Sequence, residues 1–158
     1  MSQEPQPRDS RVIIKSFNDT INNLIKMLTL KSKTELQKAN LDRLKKRLNL
    51  LRQIHVDFSL FIITNAGPYI HQYSEQILKR EESFFLSMDA RQLHSHEIEK
   101  EDEFVFDLID GIKDMYRQCI KKEQDQIYTE VLALHTDFVE YCMVTGFVPK
   151  KRVVDQNE

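Results

Sequence analysis

The side chains best equipped for chemistry in this chain are few. His94 and His96, with Glu97 and Glu99 beside them, offer a paired set of metal ligands. A transition-metal site wants three or four converging ligands, and the sequence supplies no second pair at helical i,i+4 spacing. A di-iron bundle would need Glu-x-x-His on inward faces, and that pattern does not occur. Cys119 and Cys142 fall on apolar stripes, where a thiol is inert. Without a dense cysteine framework they read as buried free thiols of a reducing compartment. No Gly-x-Ser-x-Gly elbow, phosphate-cradling glycine loop or zinc-protease helix is present. The residues therefore point to no enzyme, no metal and no cofactor.

Charge offers a different chemistry. Lys38, Arg43, Lys45, Lys46, Arg47 and Arg52 place six cations on the outward sides of one helix, opposed locally only by Asp42. Such a face can lie along phosphates, with an affinity that falls steeply with salt. No aromatic residues are interleaved among them, which weakens a single-strand stacking role. The competing expectation is internal. Glu97, Glu99, Glu101, Asp102, Glu103, Asp107, Asp110 and Asp114 supply the opposite sign, so the basic helix either stays solvated or pairs with the acidic one. The chain as a whole is split the same way: residues 1–80 carry 14 Lys/Arg against 7 Asp/Glu, and residues 81–158 carry 9 against 18. Pro149-Lys150-Lys151-Arg152-Val153 has a faint likeness to a nuclear-import signal.

The elements that must position these residues are helices. A chain of 158 residues suits one domain with its own core, and three Gly with four Pro leave little for the turns that strands need. Residues 1–9 read as a disordered tail, 10–146 as a single helical bundle domain and 147–158 as a flexible C-terminal tail. The N-terminus, MSQEPQPRDS, has no apolar core of a signal peptide. Residues 58–74 lack charge but are interrupted by Asn65, Gly67, Pro68, His71 and Gln72, so no membrane span is expected.

Periodicity predicts a first helix at about 11–30, capped by Ser10, with Phe17, Ile21, Leu24 and Leu28 on one face. Ser32 with Glu35 has capping-box spacing. From there Leu41, Leu44, Leu48, Leu51, His55, Phe58 and Ile62 predict one long second helix to about residue 65, with His55 as a hydrogen-bonded core histidine. Asn65-Ala66-Gly67-Pro68 reads as a sharp elbow, because proline lacks an amide hydrogen and disfavours a helical residue before it. A third helix is expected at about 68–88 and a loop at 89–95. Beyond it Val105, Leu108, Ile112, Met115 and Cys119 run on in phase to Ile127, Val131, Leu134, Phe138 and Tyr141. A kink or break near Lys121-Lys122-Glu123 is expected, since an unbroken helix would overhang a small bundle. Gly111 suggests a close helix crossing, and Gly146 a C-cap. The fold class is all-α: an antiparallel helical bundle of four to five long amphipathic helices.

Tyr69, Tyr73, Phe84, Phe85, Leu86 and Met88 exceed what one face of the third helix can bury, which marks them as protein-interface candidates. The run Asn65-Ala66-Gly67-Pro68-Tyr69-Ile70, then Tyr73, then Glu82-Ser83-Phe84-Phe85-Leu86 and Asp89, resembles a segment of small all-helical proteins encoded by large nucleocytoplasmic DNA viruses. That resemblance covers about 25 residues and implies a virus-encoded helical protein of the cytoplasm or of virion assembly, with no activity attached. The expectation is a non-enzymatic interaction or structural protein of the cytoplasm, with the virion or nucleus as alternatives. It would work through a protein partner or as a homo-oligomer. The other expectation is nucleic-acid association through the basic helix.

Overall fold

A computed structural model describes residues 6, 8–93 and 100–149, and among these every regular element is helical. In chain order they are α1 (Ser10–Lys31), α2 (Glu35–Ile54), α3 (Phe58–Gln72), α4 (Ser74–Leu78), α5 (Glu82–Ser87) and α6 (Ala90–Leu93). A 3-10 turn, Lys100–Asp102, then leads into α7 (Glu103–Gln118) and α8 (Lys121–Thr145). The protein is all-α, as its periodicity predicts. His94, Ser95, His96, Glu97 and Glu99 lie outside the described residues, as do most of the two expected tails and residues 150–153 of the import-like run.

α1 buries Ile13, Phe17, Ile21, Leu24 and Leu28 along one stripe, each worth roughly 1.5–3 kcal/mol of transfer free energy. It lies antiparallel to α8. Arg8, just ahead of α1, meets Asp137 at 2.6 Å and Glu140 at 2.8 Å, and Ser16 donates to Asp137 at 2.7 Å. Lys31 at the far end pairs with Glu123 near the start of α8. α2 runs antiparallel to α7, with Arg43 beside Asp107 and Arg47 beside Glu103.

Caps fall one or two residues away from the expected ones. Asp9, not Ser10, opens α1, its carboxylate accepting from the Arg11 amide at 2.8 Å. Ser32 closes α1 by donating to the Leu28 carbonyl, and the capping box of α2 is Thr34 with Gln37. Ser32 is drawn off because the orphan carbonyls of α1 need a donor at that point. Gly146 ends α8 at φ +75°, the left-handed cap expected of it.

The elbow is the main correction. α3 runs straight through Pro68, and the chain reverses instead at His55-Val56-Asp57. Asp57 caps α3 by accepting from the Leu60 amide at 3.1 Å. His55 leaves the helical register, stacks on Phe61 with ring centroids 3.9 Å apart, and places Nε2 3.5 Å from the Glu101 carboxylate without hydrogen-bonding it, so the expected hydrogen-bonded core histidine is not formed. Gly67 serves packing rather than turning: a Cβ there would lie 2.1 Å from the Phe138 ring of α8. Ala66, Gly67, Pro68 and Tyr69 are all buried, and that burial outweighs the single backbone hydrogen bond that proline forfeits. Gly111 shows the gentler version of the same device, 3.3 Å from the Leu28 side chain.

The expected third helix is broken into α3, α4 and α5, with Arg80 at φ +51° between the last two. The expected break before α8 is present and falls at Cys119-Ile120. There the Glu123 side chain accepts from the Ile120 amide.

Candidate functional site, an apolar cavity under a helical strap

Between α3, α4, α7 and α8 lies a cavity of about 150 Å³. Its wall is almost wholly carbon: Ile70, Ile77, Val105, Ile112, Val131 and Leu134 are typical. Tyrosine hydroxyls at its edge are tied to the surrounding helices. Tyr69 donates to Asp102 at 2.9 Å, Tyr116 to Glu82 at 2.5 Å, and Tyr128 to the Ile77 carbonyl. Burial pushes the Tyr73 hydroxyl up to about 12.

Residues 80–89 form a strap across this cavity, with Phe85, Leu86 and Met88 as its inward apolar side chains and Glu82 beside them in the lining. α5 within it buries none of its residues completely. Polar ties hold it down at both ends. Arg80 contacts Glu82 at 2.8 Å and Asp125 at 2.6 Å and lies 4.7 Å over the Tyr128 ring. Lys113 donates to the Met88 carbonyl and Arg117 to the Leu86 carbonyl. The hydrogen bond from Tyr116, with Arg80 close by, holds the Glu82 carboxyl below its usual range. Glu82 therefore anchors the strap above the ordinary glutamate pKa and lets go as pH falls through its depressed value.

The six interface candidates divide. Tyr69 and Tyr73 are core residues, 1% and 8% exposed. They are not surface anchors: α3 runs on through Pro68, which sets Tyr69 edge-to-face on Phe106 of α7 at 5.2 Å, and Tyr73 faces the cavity. Phe84, Phe85, Leu86 and Met88 are half-buried on the strap, where Phe84 and Phe85 meet edge-to-face at 5.4 Å.

The six cations also divide. Arg43 and Arg47 turn toward α7, where Asp107 receives Arg91 at 2.6 Å, Arg47 at 3.3 Å and Arg43 at 3.6 Å. Glu103 joins the cluster through Arg47 and Arg91. Bonding to Arg91, reinforced by Arg47, holds the Glu103 carboxyl below its usual range. Arg52 covers the Phe58 ring at 4.8 Å. Lys38 and Lys46 are exposed and Lys45 half-exposed, so the outward face is narrower than its sequence suggests.

A further contact was not foreseen, since Ser74 and His135 are 61 positions apart and match no motif. Their Oγ and Nε2 atoms lie 2.7 Å apart. Ser74 spends its own proton on the His71 carbonyl at 2.6 Å, so His135 must be the donor in that contact. A serine placed this way has no base to activate it. Burial, then the nearby His71, depresses the His135 pKa. The unfolded chain therefore binds the proton more readily, and stability is complete above the ordinary histidine pKa and lost as pH falls through the lowered value. Urea titrations from pH 7.5 to 5 should show stability declining across that window, and His135→Gln should flatten the decline.

Among the described residues no group of three His, Cys, Asp or Glu side chains is arranged to hold a metal ion, and no helix is long and apolar enough to cross a membrane. The chain matches no protein-family profile, no curated protein and no solved structure.

Proposed function

We propose that this protein is a non-enzymatic helical binding module that takes a small apolar molecule into the cavity beneath residues 80–89. The observation carrying this reading is the cavity itself: about 150 Å³ of carbon-lined space under a strap whose helix buries none of its residues. Engineered apolar cavities of this size stay dry and accept benzene-sized molecules. A ligand bound only by the folded state raises stability by RT ln(1 + [L]/Kd), so benzene at ten times its Kd should add about 1.4 kcal/mol. Thermal unfolding in benzene-saturated buffer tests this. A rise of several degrees supports the reading, and an unchanged Tm contradicts it.

A protein-contact role is favoured by a separate observation. Leu50, Ile54 and Val56 are 54%, 57% and 108% exposed around the α2–α3 turn. Leu50 and Ile54 share a helix face, and apolar groups gathered in that way mark contact surfaces more often than scattered ones do. The joint change Leu50→Lys and Ile54→Lys should abolish any concentration-dependent self-association seen by sedimentation while leaving the fold intact. Association that survives both changes removes this surface from consideration.

A further inference from the structure

Resting on the cavity reading above, we infer that the ligand is a short aliphatic carboxylic acid, its chain in the cavity and its carboxylate on the Lys113 ammonium at the rim. Among the described residues only two charged side chains line the cavity, Glu82 and Lys113. Glu82 is already neutralised, by Arg80 at 2.8 Å and by the Tyr116 hydroxyl. The carboxylates nearest Lys113 along α7 are engaged as well: Asp110 meets Arg91 at 3.1 Å and Asp114 meets Arg117 at 3.4 Å. Lys113 itself donates to a neutral acceptor, the Met88 carbonyl, and no carboxylate of the described residues lies within ion-pairing distance of it. An ammonium has three donors, so two remain for an anionic head without breaking the tie to the strap. Among the described residues the rim thus offers positive charge with no carboxylate paired to it, while the interior offers carbon alone. That polarity selects an acid over an amine, and the interior volume limits the tail to roughly six to eight heavy atoms.

The strap gives this site a way in. Arg80, at φ +51°, holds a backbone conformation that non-glycine residues seldom adopt. Residues 82–88 are held to α7 and α8 mainly through side chains, so they can lift as a unit while α3, α7 and α8 stay packed. An acid that takes up Lys113 would then bind across the same seam that opens to admit it.

The test is calorimetric titration of the full chain with octanoate and, separately, with 1-octanol, which has the same tail without the charge. Wild-type protein should bind octanoate about tenfold more tightly than octanol, the size of one charge-assisted hydrogen bond. Lys113→Gln keeps a donor for the Met88 carbonyl. It should lose that tenfold for the acid and nothing for the alcohol, with Lys113→Arg restoring most of it. Val131→Phe should weaken both ligands, and circular dichroism will show whether that variant is folded; Ala66→Val provides a milder filling should it not be. Equal affinities for acid and alcohol, unchanged in Lys113→Gln, would overturn the assignment of the head group and leave the cavity reading standing. Binding of neither ligand would overturn both.

Discussion

Asp107→Ala destabilises the protein by about 3–5 kcal/mol, the usual result of removing one partner from a buried charge cluster. The Asp107 side chain is 2% exposed, with Arg91, Arg47 and Arg43 converging on it from two other elements. Its loss leaves three guanidinium groups crowded together, with Glu103 and Asp110 as the remaining counter-charges among the described residues. α2 meets the bundle chiefly through α7, so the effect should concentrate on α2, whose amides should exchange faster with solvent. Asp110→Ala is the control. That carboxylate is 47% exposed and meets Arg91 alone, so its loss should cost under about 1 kcal/mol. Equal losses for the two variants in urea unfolding would show that the cluster does not act as a buried unit.

Gly67→Ala is the second large effect, and its sign runs against local propensity. Alanine in a helix interior is ordinarily favoured over glycine by about 1 kcal/mol. Here the new methyl would sit 2.1, 2.2 and 2.7 Å from three carbons of the Phe138 ring, which is wholly buried and has no room to withdraw. Overpacking of this kind should cost about 2–3 kcal/mol net. Pairing it with Phe138→Leu should give a double variant more stable than the two separate losses predict, a coupling of at least about 1 kcal/mol. Gly111→Ala, which meets only the Leu28 methyls at 3.3 Å, should lose far less. A harmless Gly67→Ala would mean that α3 and α8 do not cross as closely as described.

The same glycine shows where sequence reasoning stops. Periodicity located α1, α2, α7 and α8 because each turns one apolar stripe to a single core, and such a stripe is local information. Asn65-Ala66-Gly67-Pro68 was misleading because a glycine needed for close packing and a glycine needed for turning are identical in the chain; only the position of Phe138, 71 residues away, separates them. At His55-Val56-Asp57 the opposite happened. The Asp57 cap signal was present, but the heptad continued across it through Phe58 and Ile62, since α3 resumes packing on the same core after the turn. Charge asymmetry announced that basic and acidic helices had something to pair with, and Asp107 is where they do. The cavity was not legible at all. Its lining comes from α1, α3, α4, α5, α7 and α8, and an absence of atoms between six elements has no signature along any one of them.

The most direct measurement is the structure of the protein under xenon pressure. If the space beneath residues 80–89 is an accessible apolar site, xenon should appear among Ile70, Ile112 and Val131, with the strap in place or raised. A filled core showing no xenon there, with those side chains in mutual contact, would contradict the account.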